Sequence, residues 1–267
     1  LYETFGFPLE LTQEICGHAA IAVDKNGFKA AQEKAAEKAR SSWKGSGEKD
    51  LFTVAANTPP TEFVGYCALE CRATVVASAP GLAVLDRPPF YAEGGGQVGA
   101  PGALIAADGS RVLARVADTQ KHDTVFAHLL EDNVHILVGT EVRAQVDAER
   151  RARIAPHHTA THLMNEAMKL TLGGHIRQAG SYVGPDKLRF DFTHPKALTP
   201  DEVAKIEAIV NDEIKAAHPV AAKCHPVSKV AEFGATTLLG EDYGAEPRFL
   251  LIGPKGWQDP KDRFSLE

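Results

Sequence analysis

Cysteine, methionine and tryptophan are scarce in this chain: its 267 residues include only four, two and two of them. The four cysteines (Cys16, Cys67, Cys71, Cys224) are too few and too scattered to frame such a length with disulfides. That excludes a disulfide scaffold and points to a reducing compartment, the cytoplasm. Cys67 and Cys71 lie in a stretch read as strand and are expected to be packed thiols, since no second Cys/His pair lies close by. No uncharged apolar run approaches the roughly 20 residues of a membrane span, and no signal-peptide pattern follows Leu1. Nor is there a large excess of one charge. Against 35 acids stand 29 Lys and Arg, a net −6, which excludes a globally basic nucleic-acid coat. With 44% hydrophobic and 24% charged residues, the composition also excludes intrinsic disorder. The opening Leu1-Tyr2-Glu3-Thr4, without Met, leads us to expect a piece of a longer protein.

What is present falls into three stretches. Residues 1–50 read as a helical segment, with Phe28, Ala31, Ala35, Ala39 and Trp43 as a narrow apolar stripe. Residues 51–147 carry short strand-like runs at Thr74–Ala77, Leu82–Leu85, Arg111–Val116, Val125–Leu129 and Val142–Val146, with Asp108-Gly109 as a hairpin turn. Several short strands at that spacing predict a small β-barrel. Residues 148–267 mix helix and strand: a helix over His157–Thr171 stopped by Gly173-Gly174, and strands at Ile176–Val183 and Leu188–Phe192. Thr199-Pro200-Asp201-Glu202 gives a capping box for a helix buried through Val203, Ile206, Val210 and Ile214. Further strands are expected near Pro219–Lys223, Arg248–Ile252 and Arg263–Leu266. The predicted class is α+β: a helical segment, a β-barrel, and a two-layer domain with an antiparallel sheet.

Three features could carry chemistry. His158 and His162 are four apart on a helix, so both imidazoles share one face and suit two ligands of a zinc ion. Two surface histidines would show the same spacing, and two ligands do not complete a tetrahedral site. The run Tyr91 to Gly99 holds Gly94-Gly95-Gly96-Gln97; its glycines permit positive φ, and their amides could cradle an anion. A hairpin loop is the plainer reading, because Ala100-Pro101-Gly102 follows where a dinucleotide motif needs a helix. Finally, Arg143 to Pro195 has eight Lys and Arg against five acids, +3 in a chain of −6, and five of the 11 histidines fall between His157 and His194. Such a segment suits a polyanion such as RNA, or is an ordinary solvated face. Arg150, Arg151 and Arg177 are its candidates for meeting nucleic acid.

Together these runs resemble the alanyl-tRNA synthetase family. The resemblance rests on His158 to His162, Gln178-Ala179-Gly180-Ser181 and Leu188 to His194, in that order and spacing, with Phe90 to Gly99 before them. Leu1 to Leu9 and Lys229 to Gly244 fit the same family, so the whole chain is covered. The resemblance implies a parent enzyme that joins alanine to its tRNA, using ATP and Mg in a domain upstream of Leu1. It further implies that this region edits, hydrolysing seryl and glycyl esters at the acceptor end of the tRNA for alanine. His158 and His162 would be two zinc ligands. The other two would come from a Cys-Gly-Gly-Thr-His run following a segment like Arg263 to Glu267, so half the ligand set is expected here. Serine is larger than alanine and glycine smaller, so size alone cannot sort the errors, and a hydrogen bond to the serine hydroxyl is needed. Gln178 occupies the family position for that discrimination, with Thr161 as a second candidate. Gly94, Gly95, Gly96, Gln97 and Arg177 are the expected substrate contacts. A free-standing trans-editing deacylase, or a module that docks tRNA and catalyses nothing, would share the barrel and the His pair.

Overall fold

Alternation of apolar and polar residues dominates the stretch after Thr61, and in a computed structural model of the chain it closes into a barrel. The structure describes residues 9–18, 21–29, 31, 51, 53–233, 245–253 and 263–266. Two units separate, Leu1–Glu48 and Lys49–Glu267. In the first, helix α1 spans Leu9–His18 and a further helical turn covers residues 25–29, with Asp24 Oδ1 accepting the Gly27 amide at 2.8 Å. The chain between them, residues 21–24, is not helical. Ala35, Ala39 and Trp43 of the predicted stripe lie outside the described residues.

Six antiparallel strands form the barrel in the second unit: β1 (Glu70–Ala79), β2 (Leu82–Leu85), β3 (Gly102–Ala106), β4 (Val112–His122), β5 (Val125–Leu130) and β6 (Glu141–Val146). Their closed order is β1-β2-β5-β4-β3-β6. Inward positions such as Val75, Leu85, Leu104, Val142 and Ala144 are fully or almost fully buried and pack around Phe90. Closure leaves no edge strand for another chain to pair with. β3 was not expected; Gly102-Ala103 and the preceding Ala100-Pro101 carry little β propensity, and its pairing with β4 and β6 overrides that. Asp108-Gly109 does make the β3–β4 turn, with Gly109 at φ +77° and Asp108 Oδ1 accepting the Ser110 amide at 2.9 Å. Cys67 and Cys71 do not share a strand. Cys67 sits in a turn closed by its amide on the Val64 carbonyl, whereas Cys71 lies on β1 with Sγ 3.0 Å from the Arg87 carbonyl.

Helix α2 spans Ala148–Leu172, nine residues more at its start than the periodicity predicts. Asp147 caps it by accepting the Arg150 amide at 2.9 Å, and the helix runs on through Pro156. Strands β7 (Gln178–Val183) and β8 (Leu188–Phe192) form a hairpin, and helix α3 (Pro200–Ala216) follows with the expected Thr199–Glu202 capping box. β9 (Val220–Cys224), β10 (Arg248–Ile252) and β11 (Arg263–Leu266) make a separate antiparallel sheet in the order β11-β10-β9. The antiparallel pairing expected in this domain is thus present as two small sheets. α2 serves both sides: Ala167 and Met168 pack with Ile176 and Ile206, and Leu163 packs with Leu250 and Ile252. Gly234 to Gly244 lies outside the described residues.

Candidate functional site

Helix α2 places His158 and His162 one turn apart, with rings stacked at 5.1 Å between centroids and 17° between planes. They line a cleft of about 160 Å³ together with Tyr66, Tyr91, Gln97, Arg151 and Arg248. The walls come from separate parts of the fold: Tyr66 from the turn before β1, Tyr91 and Gln97 from the glycine-rich loop, Arg151 from α2, and Arg248 from β10. Phe63 fixes Tyr66, meeting it edge-on at 4.9 Å while stacking on Phe126 of β5 at 5.0 Å. Arg248 lies over the Tyr66 ring at 4.0 Å and Arg151 over Tyr91 at 5.5 Å, so both guanidinium groups are held against aromatic faces.

The electrostatics follow from this enclosure. Burial, then His162, Arg151 and Arg248, push His158 down to about 3. Burial and Arg248 push His162 down to about 4. Both rings are therefore neutral at pH 7, the form in which an imidazole nitrogen can bind a metal ion. His158 Nδ1 lies 2.8 Å from Gln97 Oε1, and neighbouring His157 bonds the Gly184 carbonyl through Nδ1 at 2.7 Å. Two neutral, stacked imidazoles with one nitrogen braced fit two positions of a tetrahedral zinc site. Among the described residues no group of three His, Cys, Asp or Glu could hold a metal ion. Cys224 is exposed on β9, paired across the sheet with Arg248, and does not itself line the cleft.

The remaining expected site residues spread out. Thr161, on the same helix, donates its hydroxyl to the His157 carbonyl at 2.8 Å, the backbone bond open to any helical threonine. Gln178 opens β7 opposite Phe192 and does not line the cleft. Arg177 folds back, its guanidinium donating to the carbonyls of Gly174 and Ile176 at 2.6 and 2.9 Å. Arg150 also stays off the cleft, and Arg151 is the one of the three basic candidates that reaches it. Gly94, Gly95 and Gly96 form a tight loop whose backbone bonds run to Gln97, Val183 and Ser181. Only Gln97 of that run extends its side chain to the histidines. Arg248 and Tyr66 went unpredicted. A charge heading the apolar run Arg248-Phe249-Leu250-Leu251-Ile252 was the available sign of the first, and Tyr66 gave none.

Residues 1–150 match the family model for class II (A) tRNA synthetases. Over 95% of its length the chain is 41% identical to the alanine–tRNA ligase of Bradyrhizobium diazoefficiens, covering 30% of that protein. It is 43% identical to the alanine–tRNA ligase of Methylobacillus flagellatus over 95% of the chain and 30% of the relative. Over the whole chain, it is 36% identical to the alanine–tRNA ligase of Elusimicrobium minutum, spanning 32% of it. The chain thus spans about a third of the length of the curated relatives it matches.

Proposed function

From the premise that the chain belongs to the class II (A) tRNA synthetases, we propose that its cleft is the editing site of an alanine–tRNA ligase. In this reading it hydrolyses seryl and glycyl esters wrongly attached to the tRNA for alanine, in the cytoplasm. Aminoacylation, with ATP and Mg, belongs to another region of the same enzyme. The observation that carries the reading is the neutral, stacked pair His158 and His162, set beside two arginines in one cleft.

Each wall then has a task. His158 and His162 are two zinc ligands, and bound zinc supplies a Lewis acid to the ester carbonyl or to water. Arg151 and Arg248 provide positive charge for a phosphate at the acceptor end of the tRNA. Their seats on Tyr91 and Tyr66 hold the two guanidinium groups in place. Tyr66 is 51% exposed and offers a ring face on which a terminal base could stack. Gln178, at the start of β7, is the candidate that rewards the serine hydroxyl, because its amide both donates and accepts.

The test is deacylation of seryl-tRNA and alanyl-tRNA for alanine by a form that includes the expected Cys-Gly-Gly-Thr-His run, with zinc quantified. We expect the seryl ester to be hydrolysed, zinc to be bound, and His158→Ala to lower both by about 100-fold or more through loss of a direct ligand. A zinc-bearing protein that leaves the seryl ester intact would overturn the reading. If that protein still bound the acceptor end, it would be a docking module.

A further inference from the structure

The glycine run has a use that neither an anion cradle nor a plain hairpin accounts for. Gly95 and Gly96 take φ values of +58° and +82°. A Cβ on Gly96 would lie 2.2 Å from Ser181 Oγ and 2.7 Å from the Ser181 carbonyl oxygen, so the loop seats against β7 only because that atom is absent. The loop is then pinned from both sides. Val183 donates its amide to Gly96 at 2.7 Å, Val98 donates to Val183 at 3.1 Å, and Ser181 Oγ donates to the Gly95 carbonyl at 3.2 Å. Within the loop, Gly94 and Gln97 exchange amide–carbonyl bonds at 3.2 and 2.9 Å. At its far end, Gly99 passes so close to β4 that a Cβ would lie 2.5 Å from the Thr119 carbonyl oxygen.

This bracing delivers a single polar side chain. Gln97 is 2% exposed, and its Oε1 meets His158 Nδ1 at 2.8 Å. An amide oxygen only accepts, and a neutral imidazole has one N–H, so Nδ1 carries the proton and Nε2 keeps the electron pair. We propose that Gln97 is a positioning residue: it holds His158 in the Nδ1–H form and fixes the ring plane, leaving Nε2 as the donor nitrogen. The glycines exist to bring Gln97 there. The use of that nitrogen rests on the editing reading above, but the tautomer does not. Side chains that orient a metal-binding histidine in this way commonly change metal affinity by about 10 to 100-fold when removed.

The test is long-range 1H–15N NMR of the histidine rings in the unmodified chain and in two variants, at pH 7 without metal. The unmodified chain should show His158 protonated at Nδ1. Gln97→Glu, whose carboxylate can only accept, should keep that form. Gln97→Met, similar in length but without the acceptor, should shift the tautomer ratio toward Nε2–H by about tenfold, the worth of one such hydrogen bond. An Nε2–H ring in the unmodified chain overturns the proposal, and this arm needs no variant to fold. So does an unchanged ratio in a folded Gln97→Met. Because the readout is free of metal and tRNA, an absence of deacylation with the Nδ1–H form intact would count against the editing reading alone.

Discussion

His128 and His158 are both withdrawn from water, both pushed down to about 3 chiefly by burial, and both bonded through Nδ1. Their surroundings nevertheless differ. His128 is fully buried on β5, its ring 4.9 Å from Phe90. Thr119 Oγ1 donates to the Ala100 carbonyl at 3.0 Å, so at 3.3 Å it can only accept from His128 Nδ1. The second nitrogen of His128 has no hydrogen-bond partner among the described residues. His158 instead lines an open cleft, with His162 stacked on it and two arginines nearby. A depressed histidine pKa therefore does not distinguish the barrel interior from the cleft. The distinction comes from convergence, because the cleft gathers side chains from five separate segments, β9 included through Val220.

The largest expected effect tests whether the barrel is a closed, fully packed core. Phe90 is 0% exposed and is the largest side chain of the barrel core. Phe90→Ala should cost about 3–5 kcal/mol in chemical denaturation, from lost transfer energy plus the cavity left behind. A loss below about 2 kcal/mol would mean that the barrel interior can collapse around the gap, and the contrast with the open cleft would weaken. The next effect concerns the titration of the buried ring. His128 ionises near 6.5 when unfolded but only at about 3 when folded, so between those values the unfolded chain binds the extra proton. Stability therefore falls as pH drops below about 6.5, by up to about 1.4 kcal/mol per pH unit from this group. Urea titrations from pH 7.5 to 4.5 should show that slope reduced in His128→Gln. An equal slope would mean that His128 is not held neutral by the barrel.

Legibility in the sequence tracked local periodicity. The β-rich stretch, the capped α3 helix and the i, i+4 histidines were readable because each signal lies within a few residues. β3 was not, since Gly102 to Ala106 is a strand only because β4 and β6 flank it. The start of α2 escapes the periodicity that begins at His157, since the helix opens at its Asp147 cap, ten residues earlier. The cleft was half legible. The histidine pair and the glycine run each stood out, but their link, Gln97 to His158, spans 61 residues of chain and has no local signature. Tyr66 and Arg248, which meet at 4.0 Å, are further apart still in sequence.

The smallest effect sharpens the comparison within one helix. α2 bears His158 on its cleft side and Arg153 on an exposed side, where the guanidinium meets Asp186 of the β7–β8 turn at 3.6 Å. Both partners are well exposed, at 53% and 81% of the side chain, so water screens the pair and two long side chains lose freedom in making it. Arg153→Ala should then cost less than about 1 kcal/mol and leave the His158 tautomer as it is, in contrast to Gln97→Met, which removes a part-buried bond of 2.8 Å from a buried side chain. The same denaturation and ring-nitrogen measurements decide it. A larger loss, or a change in the ring, would show that the exposed side of α2 helps to set the cleft, and the separation between braced interior and solvated face would have to be redrawn along the helix rather than across it.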